Sequence, residues 1–160
     1  MQDAMSIAIS ESSFGTKMEF ASGVIYEGDW QEGRMTGQGN LITPAGSKYE
    51  GAFRNGRYYG YGVLIHSNGD VYKGEWLNGK KHGVGNYVYS DGSKYEGQWN
   101  MDKRHGDGKY TYADGTVYEG EFHSGRVHGI GIKTKANGEV QKGKFLYGKY
   151  AGEADEDQKK

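Results

Sequence analysis

The stretch "DGTVYEGEFHSGRVHGIGIKT", residues Asp114–Thr134, nearly repeats "NGDVYKGEWLNGKKHGVGNYV", residues Asn68–Val88. Aligning the turn glycines gives Gly23, Gly46, Gly69, Gly92, Gly115 and Gly138, each 23 residues after the last. Three positions on, Tyr26, Tyr49, Tyr72, Tyr95 and Tyr118 recur, and Gln141 breaks the series. A second glycine follows without exception, at Gly28, Gly51, Gly74, Gly97, Gly120 and Gly143. Then comes an aromatic residue: Trp30, Phe53, Trp76, Trp99, Phe122 or Phe145. Each full unit ends with Gly-x-Gly, at Gly37/Gly39, Gly60/Gly62, Gly83/Gly85, Gly106/Gly108 and Gly129/Gly131. A fixed period of this length is the mark of a repeat array. Five full repeats fill 22–44, 45–67, 68–90, 91–113 and 114–136, between half-repeats 15–21 and 137–152. Atypical end units are what such an array needs to close itself. The Ser-rich head, 1–14, and the charged tail, 153–160, read as disordered.

Composition narrows the classes. The 160 residues include 29 Gly, 14 Tyr and one Pro, and only 34% are hydrophobic. That is too little for an ordinary two-layer core, while 14% aromatics argues against plain disorder. The net charge of −1 points to no nucleic-acid partner. With no Cys there is no disulfide framework or thiolate zinc site, which fits a cytoplasmic chain. The N-terminus lacks the basic and apolar regions of a signal peptide, and no stretch reaches transmembrane length.

A 23-residue unit full of helix breakers is too short for two helices and suits two strands with two turns. The first turns are Glu32-Gly33, Asn55-Gly56, Asn78-Gly79 and Ser124-Gly125, two-residue hairpin loops. They pair Gln31 with Arg34, and on that register Gly28 with Gly37 and Tyr26 with Gly39. Met101-Asp102 should be a poorer turn, because neither residue is glycine. The second turns, such as Pro44-Ala45-Gly46, read as three-residue loops with glycine in a left-handed G1 position. Side-chain parity then pairs Leu41 with Tyr49, Leu64 with Tyr72, Tyr87 with Tyr95 and Tyr110 with Tyr118, and sets Phe53 opposite Gly37 and Trp76 opposite Gly60. Tyr, Gly and Trp at i, i+2 and i+4 share one strand face. Rings lie over bare glycine backbone there, and Glu27, Asp29, Lys73, Glu75, Glu96 and Gln98 face water.

The string [Asn/Asp]-Gly-x-x-Tyr-x-Gly-x-[Trp/Phe]-x-x-Gly-x-x-x-Gly-x-Gly, recurring in phase over residues 17–152, resembles the MORN (membrane occupation and recognition nexus) repeat. The resemblance implies an all-β fold: an elongated, twisted, single-layer antiparallel sheet of consecutive β-hairpins. It also implies a stand-alone array of the kind found in cytoskeletal settings, with the cilium or flagellum axoneme and its radial spokes foremost.

Catalysis needs one unique constellation, and here almost every residue has copies. The chain therefore reads as no enzyme, and no cofactor is implied. His82, His105 and His128 share a repeat slot, but equivalent residues two strands apart are about 10 Å from one another. Zinc needs nitrogens ~2.1 Å from one ion, so these read as sheet residues near turns. Two surfaces remain. The first is an aromatic, glycine-floored groove for a protein segment, formed by Tyr58, Tyr59, Tyr61, Tyr72, Trp76, Tyr87, Tyr89, Tyr95, Trp99, Tyr110, Tyr112 and Tyr118. The second is a basic turn edge, Arg34, Arg57, Lys80, Lys81, Lys103, Arg104 and Arg126, suited to anionic phospholipid at ~1 kcal/mol per charge. The array's ends raise the edge-strand problem. The strand from Val140 to Phe145 reads as the open C-terminal edge, guarded by Lys142 and Lys144 and fit for weak self-association.

Overall fold

The computed structural model describes residues 10–12 and 15–154. The remaining residues of the head and tail lie outside the described residues. Two compact units divide the chain, Met1–Lys80 and Lys81–Lys160. The first carries β1 (Ser10–Ser12), β2 (Gly15–Glu19), β3 (Ile25–Gln31), β4 (Arg34–Ile42), β5 (Lys48–Arg54), β6 (Arg57–Ile65) and β7 (Val71–Leu77). The second carries β8 (Lys80–Val88), β9 (Lys94–Asn100), β10 (Lys103–Thr111), β11 (Val117–His123), β12 (Arg126–Thr134), β13 (Val140–Leu146) and β14 (Lys149–Gly152). In each unit every strand pairs antiparallel with its neighbours in the chain. No helix occurs among the described residues.

Two turn types alternate. In the short one both residues take positive φ: Asn55 and Gly56 sit at 50° and 76°, and Met101 and Asp102 at 48° and 71°. The turn without glycine therefore keeps the same backbone as the others. Its strain is offset locally, because the Asp102 carboxylate accepts the Lys81 backbone N–H at 2.9 Å and pairs with the Lys81 ammonium at 3.4 Å. These turns also stack. The N–H of the second turn residue donates to a carbonyl in the preceding repeat: Gly56 to Met35, Gly79 to Tyr58, Asp102 to Lys81, Gly125 to Arg104 and Gly148 to Val127. The longer turns are the three-residue loops expected. Thr43 N–H donates to Ser47 O and Gly46 N–H to Thr43 O, with Gly46 at φ 91°.

The register across the longer turns is as read, with Leu41 opposite Tyr49, Phe53 opposite Gly37, Trp76 opposite Gly60 and Tyr110 opposite Tyr118. Across the short turns it differs. Gln31 faces Arg34, but Gly28 faces Gly39 rather than Gly37, and Tyr26 faces Leu41 rather than Gly39. The cause is a bulge: one residue between Gly28 and Trp30, Asp29, answers three between Met35 and Gly39. The first glycine of each Gly-x-Gly lies in it, with Gly37 at φ 56° and Gly60 at 63°. A side chain there would be strained. The bulge leaves backbone groups unpaired and bends the strand.

Side chains fill the bulge. The Tyr26 hydroxyl donates to Asp29 O at 2.6 Å, Tyr49 to Ala52 O at 2.9 Å, Tyr95 to Gln98 O at 2.7 Å and Tyr118 to Glu121 O at 2.9 Å. On the long strand, Asp29 Oδ2 accepts the Gln38 N–H, Gln98 Oε1 accepts the Asp107 N–H, and Glu121 Oε2 accepts the Ile130 N–H. Asp29 and Gln98, read as plain solvated residues, are bulge caps. The rings interlock in series. In the first unit Tyr26 packs edge-on against Phe53 at 5.2 Å, and Tyr49 against Phe53 at 5.1 Å and Trp76 at 5.6 Å. In the second, Tyr95 meets Trp99 at 5.1 Å and Phe122 at 5.0 Å, and Tyr118 meets Phe145 at 5.0 Å. Glycine makes room: a Cβ on Gly39 would stand 2.5 Å from the Tyr26 ring, and one on Gly108 would stand 2.5 Å from that of Tyr95.

Both ends depart from expectation. Ser10–Ser12 pairs with β2, within the head read as disordered. β13 is not the bare edge anticipated: β14 pairs with Lys144–Leu146, and the Tyr150 hydroxyl donates to Lys142 O at 3.1 Å.

Candidate protein-binding face

The groove residues fall into three groups. Tyr72, Trp76, Tyr95, Trp99 and Tyr118 are core, buried together with Tyr26 and Tyr49. They hold the sheet and have no surface to offer. Burial lifts the Tyr26 and Tyr118 phenols to about 12, and those of Tyr49 and Tyr95 higher still. Tyr59 and Tyr61 belong to the opposite face. Tyr59 lies beneath the Arg54 guanidinium, which donates to its hydroxyl at 3.1 Å, and Tyr61 is 62% exposed opposite Glu75. Strand alternation forces this, since Tyr61 sits between two ring-face glycines.

The third group is accessible on the ring face. In the first unit it is Tyr58, half-buried and stacked on Tyr49 at 3.7 Å. In the second it is Tyr89, Tyr110 and Tyr112 at the longer turns, a run that the buried Tyr87 anchors. Tyr87 meets Tyr89 at 4.3 Å, Tyr89 meets Tyr110 at 6.1 Å, and Tyr110 meets Tyr112 at 4.6 Å. Tyr87 is the most buried, and the other three are half-buried. Cations flank the run: Lys81 over Tyr87 at 5.6 Å, Arg104 over Tyr110 at 5.0 Å and Lys133 over Tyr112 at 5.4 Å. Burial raises the Tyr112 phenol, so it stays a neutral hydroxyl donor at ordinary pH. Lys133, absent from the sequence reading, was legible as the ring-face neighbour of Tyr118 one strand over.

The basic edge divides likewise. Lys81 is engaged by Asp102, and Arg104 donates to Gly125 O at 2.6 Å between the rings of Tyr95, Tyr110 and Phe122. Both are parts of the ring layer. Arg34, Arg57 and Lys80 in the first unit, and Lys103 and Arg126 in the second, stay exposed. His105 and His128 flank His123, with ring centroids 5.3 and 5.9 Å away. His128 Nδ1 accepts the Tyr147 N–H at 3.2 Å. Among the described residues no three His, Cys, Asp or Glu side chains are arranged to hold a metal ion.

A family model described as MORN repeat matches residues 26–48, 49–71, 72–94, 95–117 and 118–140. It has the 23-residue period found above. No curated protein matches the chain. Among solved structures, the TCP domain of SAS-4 (dCPAP) of Drosophila melanogaster, solved in complex with a proline-rich motif of Ana2 (dSTIL), is similar at 16% identity. The match covers 79% of this chain and 81% of that chain, with a TM-score of 0.35.

Proposed function

Because the chain belongs to the MORN-repeat family, whose units fill residues 26–140, we propose that it is a non-catalytic scaffold holding a protein segment against the ring face of its second unit. The observation that carries this reading is the run Tyr87–Tyr89–Tyr110–Tyr112 with Arg104 and Lys133 beside it. Accessible aromatic patches rimmed by polar groups are what protein partners use. Apolar side chains of the segment lie on the rings, and its carboxylates meet the two cations. The assembly is cytoskeletal or ciliary, such as an axonemal radial spoke. That setting rests on the resemblance of stand-alone arrays alone.

A second reading has its own support. Five turn cations remain exposed, which suits an anionic phospholipid surface. One comparison separates the two. The partner recovered from a detergent-extracted cytoskeleton is titrated against wild type, against Tyr89→Ser with Tyr112→Ser, and against Arg34→Glu with Arg57→Glu and Lys80→Glu. The scaffold reading expects the Tyr variant to lose affinity about tenfold and the charge variant to match wild type. Binding to phosphoinositide vesicles that only the charge variant loses, with partner affinity untouched by the Tyr changes, rejects it.

A further inference from the structure

We infer that the face of the second unit turned away from the rings is a self-complementary patch that takes a second copy of this chain, centred on β12. Cross-strand neighbours share a face. One row across β11, β12 and β13 reads Glu119, Ile132, Lys142. The next reads Glu121, Ile130, Lys144: Ile130 is paired with Lys144, and the Glu121 carboxylate holds the Ile130 N–H. Ile130 is 50% exposed and Ile132 41%, and all four charged residues are exposed. Both rows therefore run acid, isoleucine, base in the same direction. A third row, Val117, Thr134, Val140, carries no charge.

This pattern selects one symmetry. Lay two copies face to face about a twofold axis running along β12. Each acid then falls on the other copy's base, and Ile130 and Ile132 fall on themselves. In the third row valine falls on valine. Turning the axis across the strands puts Glu119 and Glu121 on their own kind, which is repulsive. An isologous contact requires such self-complementarity, and aligned sheets pack face to face in this way.

Other rows fail the same test. Around β10 the row is Glu96, Lys109, Glu119, acid at both ends. Around β6 one row, Glu50, Val63, Lys73, has the required order, but Tyr61 in the next row faces Glu75 with Ala52 on the other side. Of these three, β12 alone has two successive rows that agree. Three strands ~4.8 Å apart and three rows ~7 Å apart cover roughly 300 Å² per copy. A standard stable interface buries about 800 Å² per partner. The contact is therefore weak and appears at high concentration.

Sedimentation equilibrium of the full chain tests the idea, at rising concentration and at low and high salt. The expected result is a monomer–dimer equilibrium that salt weakens. Glu119→Lys and Lys142→Glu each change two contacts in the dimer from attractive to repulsive, so each alone should weaken it about tenfold or more. Mixed in equal amounts, the two variants face each other with every charge matched, and the dimer returns as a heterodimer. Circular dichroism like that of wild type keeps folding out of the comparison. A strict monomer at low salt overturns the proposal, and so does a mixture that fails to regain association. A dimer indifferent to both charge changes but lost on Ala151→Pro belongs to the edge of β14 and overturns it equally.

Discussion

At the scale of single residues, the fold depends on an exchange between tyrosine and glycine. Each of Tyr26, Tyr49, Tyr95 and Tyr118 lies over a glycine of the facing strand, where a Cβ would run into the ring. The series stops at the C-terminal end, where Gln141 stands in the tyrosine slot and β14 ends at Gly152, before it could bring a glycine opposite that residue. Gly108→Ala should therefore cost ~1–3 kcal/mol through overpacking, read from the urea midpoint. Asp102 poses a balance of two effects. Asp102→Gly relieves a φ of 71° but removes both bonds to Lys81, so it should be near neutral. Asp102→Ala keeps the strain and loses the bonds, and should destabilise by about 1–2 kcal/mol. Equal midpoints for the two variants would show that the side chain contributes nothing to this turn.

At the scale of strands and turns, the sequence revealed the period, the two turn types, the ring face and every register across the longer loops. It hid the bulge for a physical reason. The bulge adds two residues, and a shift of two returns each side chain to its own face. Alternation therefore reads the same with or without it, and Gly28 opposite Gly39 was indistinguishable from Gly28 opposite Gly37. The one trace was the first glycine of each Gly-x-Gly, which a plain strand has no use for. The same parity did predict that Tyr61 turns away from the rings, so grouping it with Tyr58 followed adjacency where alternation should have ruled. Accessibility was less legible: in a one-layer sheet, alternation gives the face but not how far neighbouring rings cover one another. The bulge also leaves an opening. Asp29, Gln98 and Glu121 cap its long-strand N–H, while Ala52 holds the same slot with nothing to offer. Ala52→Asp should supply the missing acceptor to the Tyr61 N–H and stabilise the chain by about 0.5–1 kcal/mol. An unchanged or lower urea midpoint would mean that the backbone there is already satisfied.

At the scale of the whole molecule, a core built from tyrosine behaves unlike one built from leucine, because its packing units are weak acids. Tyr26 and Tyr118 are fully buried with phenols lifted to about 12, and burial raises Tyr49 and Tyr95 further. The unfolded chain releases these protons near 10. Below 10 both states keep them, and the stability they contribute is fully present. From 10 upward the unfolded state binds fewer protons than the folded one, so stability falls with every unit of pH until the folded phenols also titrate. Acting in several repeats at once, the linkage should drive a cooperative loss of strand signal between about pH 10 and 12. Buried phenolate absorbance should rise in step with that loss, not before it. Tyr26→Phe with Tyr118→Phe separates the two roles of the hydroxyl. At neutral pH the variant should be less stable, since the carbonyls of Asp29 and Glu121 lose their donors. Its stability should also fall less steeply above pH 10, because two titrating groups are gone. The two curves of stability against pH therefore converge as pH rises; parallel curves over that range would show that these phenols do not carry the alkaline transition.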